Sequence, residues 1–188
     1  PAARLPARGA EERGPAVKKM LIGAIEIPLR SALDCETAYE WIGGETILRT
    51  ISGAGIRQET WKRLRATVTG SGWLPPGLAA VDTTQQHVVA FAAVVAVTCD
   101  ASRQATLPAG RRSDSGHEPY AVALFADGSQ LPTPVVILAN VATAAAVVGA
   151  VGYQVLYYPQ ITAWVSRSPL SQDHAGASWR WDLIIEEV

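Results

Sequence analysis

Short runs of strand-forming residues, separated by turn residues, follow one another along the chain from Leu21. In the last run, "SWRWDLIIEEV", the side chains alternate between apolar Trp179, Trp181, Leu183 and Ile185 and polar Arg180, Asp182 and Glu186. This period of two is typical of a half-buried β strand. "TILRTI" and the run from Ile56 to Thr69 flank "SGAG", a glycine-containing break that favours a hairpin. Asp127-Gly128 predicts another hairpin. Together these patterns predict an all-β fold, an antiparallel β-sandwich or split barrel with long hairpins and little helix.

Three apolar segments need a choice between strand and helix. Residues 135–158 are long enough for a membrane helix, but their polar residues, glycines and β-branched side chains favour two or three strands. "HVVAFAAVVAV" predicts a fully buried strand, with a short helix as the alternative. In "WLPPGLAAV" the prolines and glycine leave room for a single helical turn over residues 78–81. Residues 128–166 carry no charge, which predicts core or interface.

The ends and one long loop define the domain organisation. Residues 1–19 have little periodicity, three prolines and more basic than acidic side chains, so they predict an N-terminal extension or arm. Met20 follows directly and is an alternative natural start. Residues 20–188 are expected to form a single β domain, with a small lobe around residues 100–165 as an option. Residues 100–119 read as a polar loop.

Composition excludes some partners. With 18% charged residues and a formal net charge of -1, the chain offers no general attraction to nucleic acid. The low charged fraction suggests that much of the surface is covered. Cys35 and Cys99 are far apart and no secretory signal precedes them, which predicts reduced thiols in a cytoplasmic product. No membrane span is expected.

No catalytic set emerges from the sequence. His87, His117 and His174 lack the spacing of a zinc site, and glycine-rich turns such as "SGAG" lack the spacing of a phosphate-binding loop. Ser, Asp and His occur close together in "RRSDSGHEP" and "SQDHAGAS", where polar turn residues are the simpler interpretation of a triad-like composition. The sequence therefore predicts a protein that is not an enzyme and needs no cofactor or metal.

The most unusual segment is "GGETILRTISGAGIRQETWKRLRATVTGSG", residues 43–72, where cations surround a tryptophan. Trp61, with Arg57, Lys62, Arg63 and Arg65 nearby, could contact a protein partner or stack on nucleic-acid bases. The alternative is a tryptophan packed on its own sheet beneath arginine stems. We expect a hairpin that presents a charged face to neighbouring protein subunits.

This segment resembles the start of the distal tail proteins of long-tailed bacteriophages, including minor tail proteins at the tip of lambda-like tails. The likeness lies in a glycine-rich turn, a following Arg57, and a strand from Ile56 to Gly70 with Trp61 at the aromatic position. It covers about a fifth of the chain. The run from "GYQVLYYPQITAWVSR" to "GASWRWDLIIEEV" is similar in character to tail proteins of Mu-like phages. A helix follows the tryptophan strand in lambda-like relatives, whereas "WLPPGLAAV" permits little helix here.

The resemblance implies a structural virion protein, made in the bacterial cytoplasm and located in the tail. Such a protein would form a ring, with a hexamer favoured, that joins the tail tube to the tip or baseplate. Its partners would be its own copies, the tail tube protein, and the tail-tip hub and tape-measure proteins. The predicted subunit interface consists of Arg49, Gly53, Gly55, Arg57, Trp61, Arg63 and Arg65. The alternative is a small β-sandwich module that binds carbohydrate or a host surface, since tryptophan and tyrosine are plentiful.

Overall fold

The computed structural model describes residues 19–167 and 170–188, which form antiparallel sheets and two single 3₁₀ turns at Leu29–Ser31 and Leu78–Ala80. The prediction of an all-β antiparallel fold with little helix is confirmed. The strands in chain order are β1 Leu21–Ile22, β2 Ile25–Glu26, β3 Asp34–Arg49, β4 Gly55–Gly72, β5 Gln86–Ala90, β6 Val95–Thr98, β7 Gln104–Thr106, β8 Tyr120–Leu124, β9 Gln130–Thr133, β10 Val135–Leu138, β11 Val141–Ala144, β12 Gly152–Tyr157, β13 Gln160–Arg167, β14 Ser171–Asp173 and β15 Ser178–Glu187.

The main sheet runs in the order β2-β1-β5-β13-β15-β4-β3, and β14 pairs with β15. It has two open ends, at β2 and β3, so it does not close into a barrel. One face is buried, because alternate residues of the central strands are apolar, as the period of two predicts. The largest side chains of this core include Leu64, Val68, Val89, Phe91, Val165, Trp181, Leu183 and Ile185.

Two smaller sheets, β10-β11-β7 and β6-β12-β8-β9, build a second core. Its buried residues come from both sheets, and small alanines allow close approach: Ala105, Leu107, Ala121, Ala142, Ala144, Val155 and Tyr157. The division into an arm over residues 1–19 and one domain over residues 20–188, with a lobe as an option, stays a prediction. Residues 1–18 lie outside the described residues.

The strand predictions for the apolar segments are partly right. Residues 135–158 form β10, β11 and β12, as expected, and none of the described residues belongs to a helix with the length and hydrophobicity of a membrane span. "HVVAFAAVVAV" is wrong as one fully buried strand. It forms β5 and β6 in different sheets, because the chain crosses from the main sheet to the four-stranded sheet after the buried Phe91, and Val88 is exposed.

The uncharged stretch of residues 128–166 is not all core. Val136 and Leu138 point outward from β10, and Val148 and Val151 are exposed in the loop before β12. Trp164 is 44% exposed on the outer face of β13. The reason is register, since Trp164 is opposite Glu186 of β15, whereas its neighbours Ala163 and Val165 are buried.

Residues 100–119 are not simply a polar loop. They contain β7, and beyond it Arg112 is only 2% exposed. Arg112 Nη1 donates hydrogen bonds to the carbonyl oxygens of Lys19 at 2.7 Å and Phe91 at 2.9 Å. Its Nε and Nη2 donate to the two oxygens of Asp114 at 2.9 and 2.8 Å. This guanidinium therefore fastens the segment before β8 to the strands that begin the main sheet.

His117 belongs to the same cluster. Its Nδ1 lies 2.8 Å from Oδ2 of Asp114, and its ring packs edge-on against Tyr158 with centroids 5.1 Å apart. In the described part of the chain neither ring nitrogen has a well-directed hydrogen bond, despite the short Nδ1 distance. "RRSDSGHEP" is thus a largely exposed polar loop, as predicted, in which Arg112 and His117 are buried and form a structural junction.

Stability at low pH is expected to depend on Asp114. The hydrogen bonds from Arg112, with the charges of Arg112 and His117, lower the Asp114 pKa from 3.8 to about 2. A carboxyl whose pKa is lower in the folded state stabilises the fold above its ordinary pKa, and this contribution is lost as pH falls from about 4 to about 2. Asp114→Asn should therefore melt at a lower temperature at pH 7 and show a shallower fall between pH 4 and pH 2.

Thermal unfolding followed by circular dichroism across this pH range measures the effect. Asp173→Asn is the matched control, because Asp173 lies in an exposed turn and its Oδ1 accepts a local hydrogen bond from Ala175 N. If the melting temperatures of wild type and Asp114→Asn fall equally between pH 4 and pH 2, Asp114 does not cause the loss of stability at low pH.

Candidate assembly interface

The hairpin β3–β4 extends well beyond the main sheet. β15 pairs with β4 from Arg65 to Gly72, so among the described strands residues 55–64 of β4 pair with β3 alone. Residues 41–49 and 55–64 therefore form a two-stranded projection, called the ribbon below. At about 3.3 Å per residue it is roughly 30 Å long. β3 is also the end strand of the sheet, so its outer edge is unpaired along its length in the described structure.

A β-bulge decides which side chains share a face of the ribbon. Gly44 is opposite Trp61 but Glu45 is opposite Glu59, so Thr60 is the extra residue, and its Oγ1 donates to the Gly44 carbonyl at 2.8 Å. Because the bulge changes the alternation, Trp61 and Glu59 lie on opposite faces.

Gly44 is needed beneath Trp61, since a Cβ at this position would overlap the indole Nε1. The indole thus lies directly over the bulge. Half of the Trp61 side chain stays exposed, so packing on its own sheet and contact with a partner both stay predictions.

The seven predicted interface residues do not form one edge. Trp61, Arg63 and Arg65 share the outer face, whereas Arg57 lies on the opposite face, where it forms ion pairs with Glu45 and Glu59. Arg49, opposite Gly55 in the register, shares that second face with Arg57. The continuous basic edge around Trp61 that the sequence suggested is therefore divided between two faces.

Gly53 and Gly55 belong to the tip. Gly53 has φ of 84°, which glycine adopts without strain, and its N–H donates to the Thr50 carbonyl at 2.9 Å. Arg49 Nη1 donates to the Gly53 carbonyl at 3.1 Å and so closes the turn. A Cβ at Gly55 would approach Ile47 Cγ2 at 3.3 Å. Both glycines therefore shape the tip.

The arginines at the base of the ribbon have partners within the chain. Arg65 pairs with Glu186 at 2.7 Å and with Glu40 at 3.7 Å. Arg63 Nε donates to the Val188 carbonyl at 2.6 Å. Arg65 therefore ties β3, β4 and β15 together where the ribbon leaves the sheet. Such partly exposed ion pairs contribute only about 0–1 kcal/mol each to the free energy of unfolding. Their main effect is therefore to orient the ribbon relative to the sheet.

Apart from Trp61, the exposed apolar side chains of the ribbon were not among the residues predicted from the sequence. Trp41, Ile47, Leu48, Ile51, Ile56 and Trp61 are all at least half exposed. The apolar composition of "WIGGETILRTISGAGI", residues 41–56, was a signal for five of them, but the prediction rested on the cations of the hairpin.

The two faces of the ribbon differ in charge. From Ile42 to the tip the outer face carries Leu48, Ile56, Trp61 and Arg63 and no carboxylate, as the register shows. We call this surface the apolar ribbon face. The opposite face carries the Glu45, Arg57 and Glu59 cluster, and the Lys62 ammonium lies 4.8 Å from the ring centroid of Trp41. The apolar ribbon face is thus the better candidate for a protein contact.

Within the described residues, no group of three or more His, Cys, Asp or Glu side chains is arranged to hold a metal ion. The arrangement of the ribbon suits association rather than bond chemistry, since it presents apolar surface and backbone edges. Comparison with protein-family models, with curated proteins and with solved structures found no match for this chain.

Proposed function

We propose that this chain is a structural protein of a bacteriophage tail that forms a ring at the distal tip and joins the tail tube to the tip or baseplate. The observation that carries the assembly role is the ribbon, whose exposed apolar side chains extend beyond any core of the described structure. A two-stranded hairpin is marginally stable by itself in water, and contiguous exposed apolar surface is typical of interaction sites. A neighbouring subunit would support the two-stranded ribbon and cover its exposed apolar side chains.

The assignment to a tail rests on the resemblance of residues 43–72 to distal tail proteins. Under this proposal the ring, with six copies favoured by the resemblance, contacts the tail tube protein on one side and the tail-tip hub and tape-measure proteins on the other. The protein would act without catalysis, and its place would be the virion tail.

The test is the native mass of the full chain together with negative-stain electron microscopy. We expect closed rings of one stoichiometry that bind the ends of purified tail tubes. A chain that stays monomeric at high concentration and leaves tube ends bare would overturn the proposal. Retention of that monomer on immobilised glycans would instead favour a carbohydrate-binding module.

A further inference from the structure

The main sheet is curled, so that its two open ends approach each other. Tyr39 of β3 donates from its hydroxyl to the Ala93 carbonyl at 2.9 Å, and its ring packs edge-on against Phe91, just beyond β5, with centroids 5.4 Å apart. An apolar cavity of about 80 Å³ lies between the β1–β2 end and β3. Residues from both ends and from the 3₁₀ turn between them form its walls, among them Met20, Ile27, Leu29, Ala32, Cys35 and Trp181.

Cys35 lies where the edge of β3 is uncovered. In the register it is opposite Gly70, which is in turn opposite Trp181, so the Cys35 side chain points to the same face as the buried indole. Cys35 is nevertheless exposed, because no described strand pairs with the outer edge of β3. This edge therefore offers unpaired backbone groups next to an apolar cavity, which are the two features that an added strand requires.

The outer face of the same edge is acidic. Asp34 and Glu36, the chain neighbours of Cys35, point to this face, and Asp182 lies in the same row as Glu36. The three carboxylates line a groove of about 410 Å³, called the acidic groove below. In the described residues none of them forms an ion pair, and Arg180 is the one cation lining the groove. A strand added here would fit best if it were apolar on one face and basic on the other.

The N-terminal extension contains a segment with this pattern. In "ARLPAR", residues 3–8, apolar side chains alternate with Arg4, Pro6 and Arg8. In an extended backbone both arginines would therefore share one face, and Leu5 would lie on the other between two alanines. Leu5 is the largest aliphatic side chain of the extension. The proline agrees with an edge strand, where its nitrogen can face away from the neighbouring strand.

This segment is joined to the fold beside the cavity. Lys19, the first described residue, lines the cavity. Its carbonyl accepts a hydrogen bond from Arg112 Nη1 at 2.7 Å, and its ammonium lies 2.6 Å from the Glu26 carboxylate. The connection over residues 9–18 can span up to about 33 Å, which is enough to return to the adjacent edge of β3. The same molecule can therefore supply the strand, at a high effective concentration.

We propose that residues 3–8 add to the outer edge of β3 of the same molecule as an extra strand. Leu5 enters the apolar cavity beside Cys35, and Arg4 and Arg8 face the acidic groove. The added strand pairs backbone groups of the β3 edge and covers the Cys35 thiol. This inference goes beyond the proposed ring and does not depend on it.

The reactivity of Cys35 in the full chain tests this arrangement. Cys99 is the internal reference, because it is also a free thiol and packs against the second core. The rate of alkylation by N-ethylmaleimide is measured for each thiol by peptide mass spectrometry. Leu5→Asp should raise the Cys35 rate about tenfold, because the variant loses the burial of a leucine side chain. The Cys99 rate should stay unchanged.

Ala10→Asp is the matched control, because it adds the same charge to the N-terminal extension outside residues 3–8. Its Cys35 rate should stay close to the wild-type rate. Arg4→Gln with Arg8→Gln removes the two charges and should raise the Cys35 rate by less than Leu5→Asp does. Hydrogen exchange of the β3 peptide around Cys35 should also be faster in Leu5→Asp, since an added strand protects backbone N–H groups.

Each outcome decides for or against the added strand. Equal Cys35 rates in wild type, Leu5→Asp and Ala10→Asp would overturn it. A wild-type Cys35 rate that falls as protein concentration rises would show that a second copy covers the edge, and would overturn docking within one molecule. If Leu5→Asp also raises the Cys99 rate, its fold is disturbed and Arg4→Gln with Arg8→Gln decides, with an unchanged Cys35 rate overturning the proposal. Failure of the wild type to form rings would bear on the proposed function instead.

Discussion

A ribbon-less variant, in which Asn-Gly replaces residues 44–61, is expected to lose self-association completely and to keep a melting temperature close to that of the wild type. The Asn-Gly turn joins Gly43 and Lys62, which are opposite each other in the register, and Asn-Gly suits a two-residue hairpin connection. The buried side chains of β4 begin only at Leu64, so the main core is unchanged. Analytical ultracentrifugation over a concentration series measures the loss.

The control for this deletion is a change of the tip alone. Ile51 lies in the turn between β3 and β4 and is fully exposed, so Ile51→Ser removes one apolar contact and leaves the ribbon length unchanged. It should weaken association by far less than the deletion. A ribbon-less protein that still assembles would show that the ribbon is not the contact, and one that melts much earlier as a monomer would show that the ribbon belongs to the fold.

Trp181→Ala is expected to give the largest loss of stability, about 3–5 kcal/mol in the free energy of unfolding. The side chain of Trp181 is 3% exposed, and its indole Nε1 donates to the Ser31 carbonyl at 2.7 Å. Its ring lies directly over Gly70, where a Cβ would overlap ring carbons. The substitution removes core contacts and leaves the Ser31 carbonyl without this buried donor.

Denaturant unfolding of the full chain, at a concentration where it is monomeric, measures this loss. Trp181→Phe keeps most of the ring but not the N–H, so it should cost a smaller share, about 1–3 kcal/mol. Trp179→Ala is the matched control, since Trp179 is only partly buried on the same strand. A loss below about 1 kcal/mol for Trp181→Ala would mean that the 3₁₀ turn at Leu29–Ser31 is not fastened to the sheet through this residue.

The alternation in β15 and the glycine-containing turns predicted much of the fold from the sequence. The Asp127-Gly128 turn joins β8 and β9, and Gly128 has φ of 83°, as its turn requires. What sequence could not give was sheet membership. β5 and β6 are only four residues apart yet belong to different sheets, because long-range pairing with β13 and β12 decides their places.

The candidate site was predicted in position but not in arrangement. The hairpin at residues 43–72 exists, but no sequence pattern indicated the bulge that separates Trp61 and Arg63 from Arg57. Nor did it show that Arg57 and Arg65 are paired with carboxylates of the same chain. Ion pairs between strands depend on which strands are neighbours and on their register, and the pairing of the whole sheet decides both.

By itself, then, the sequence determined the local properties of this protein: the period of two in its strands, the glycine turns, the all-β character and the composition of the ribbon. These depend on residues within a few positions of one another. The tertiary structure alone decided that β15 stops pairing at Arg65, which turns a hairpin into a projecting ribbon. It also decided that Asp34, Glu36 and Asp182 share one groove, because strand register joins residues about 150 positions apart.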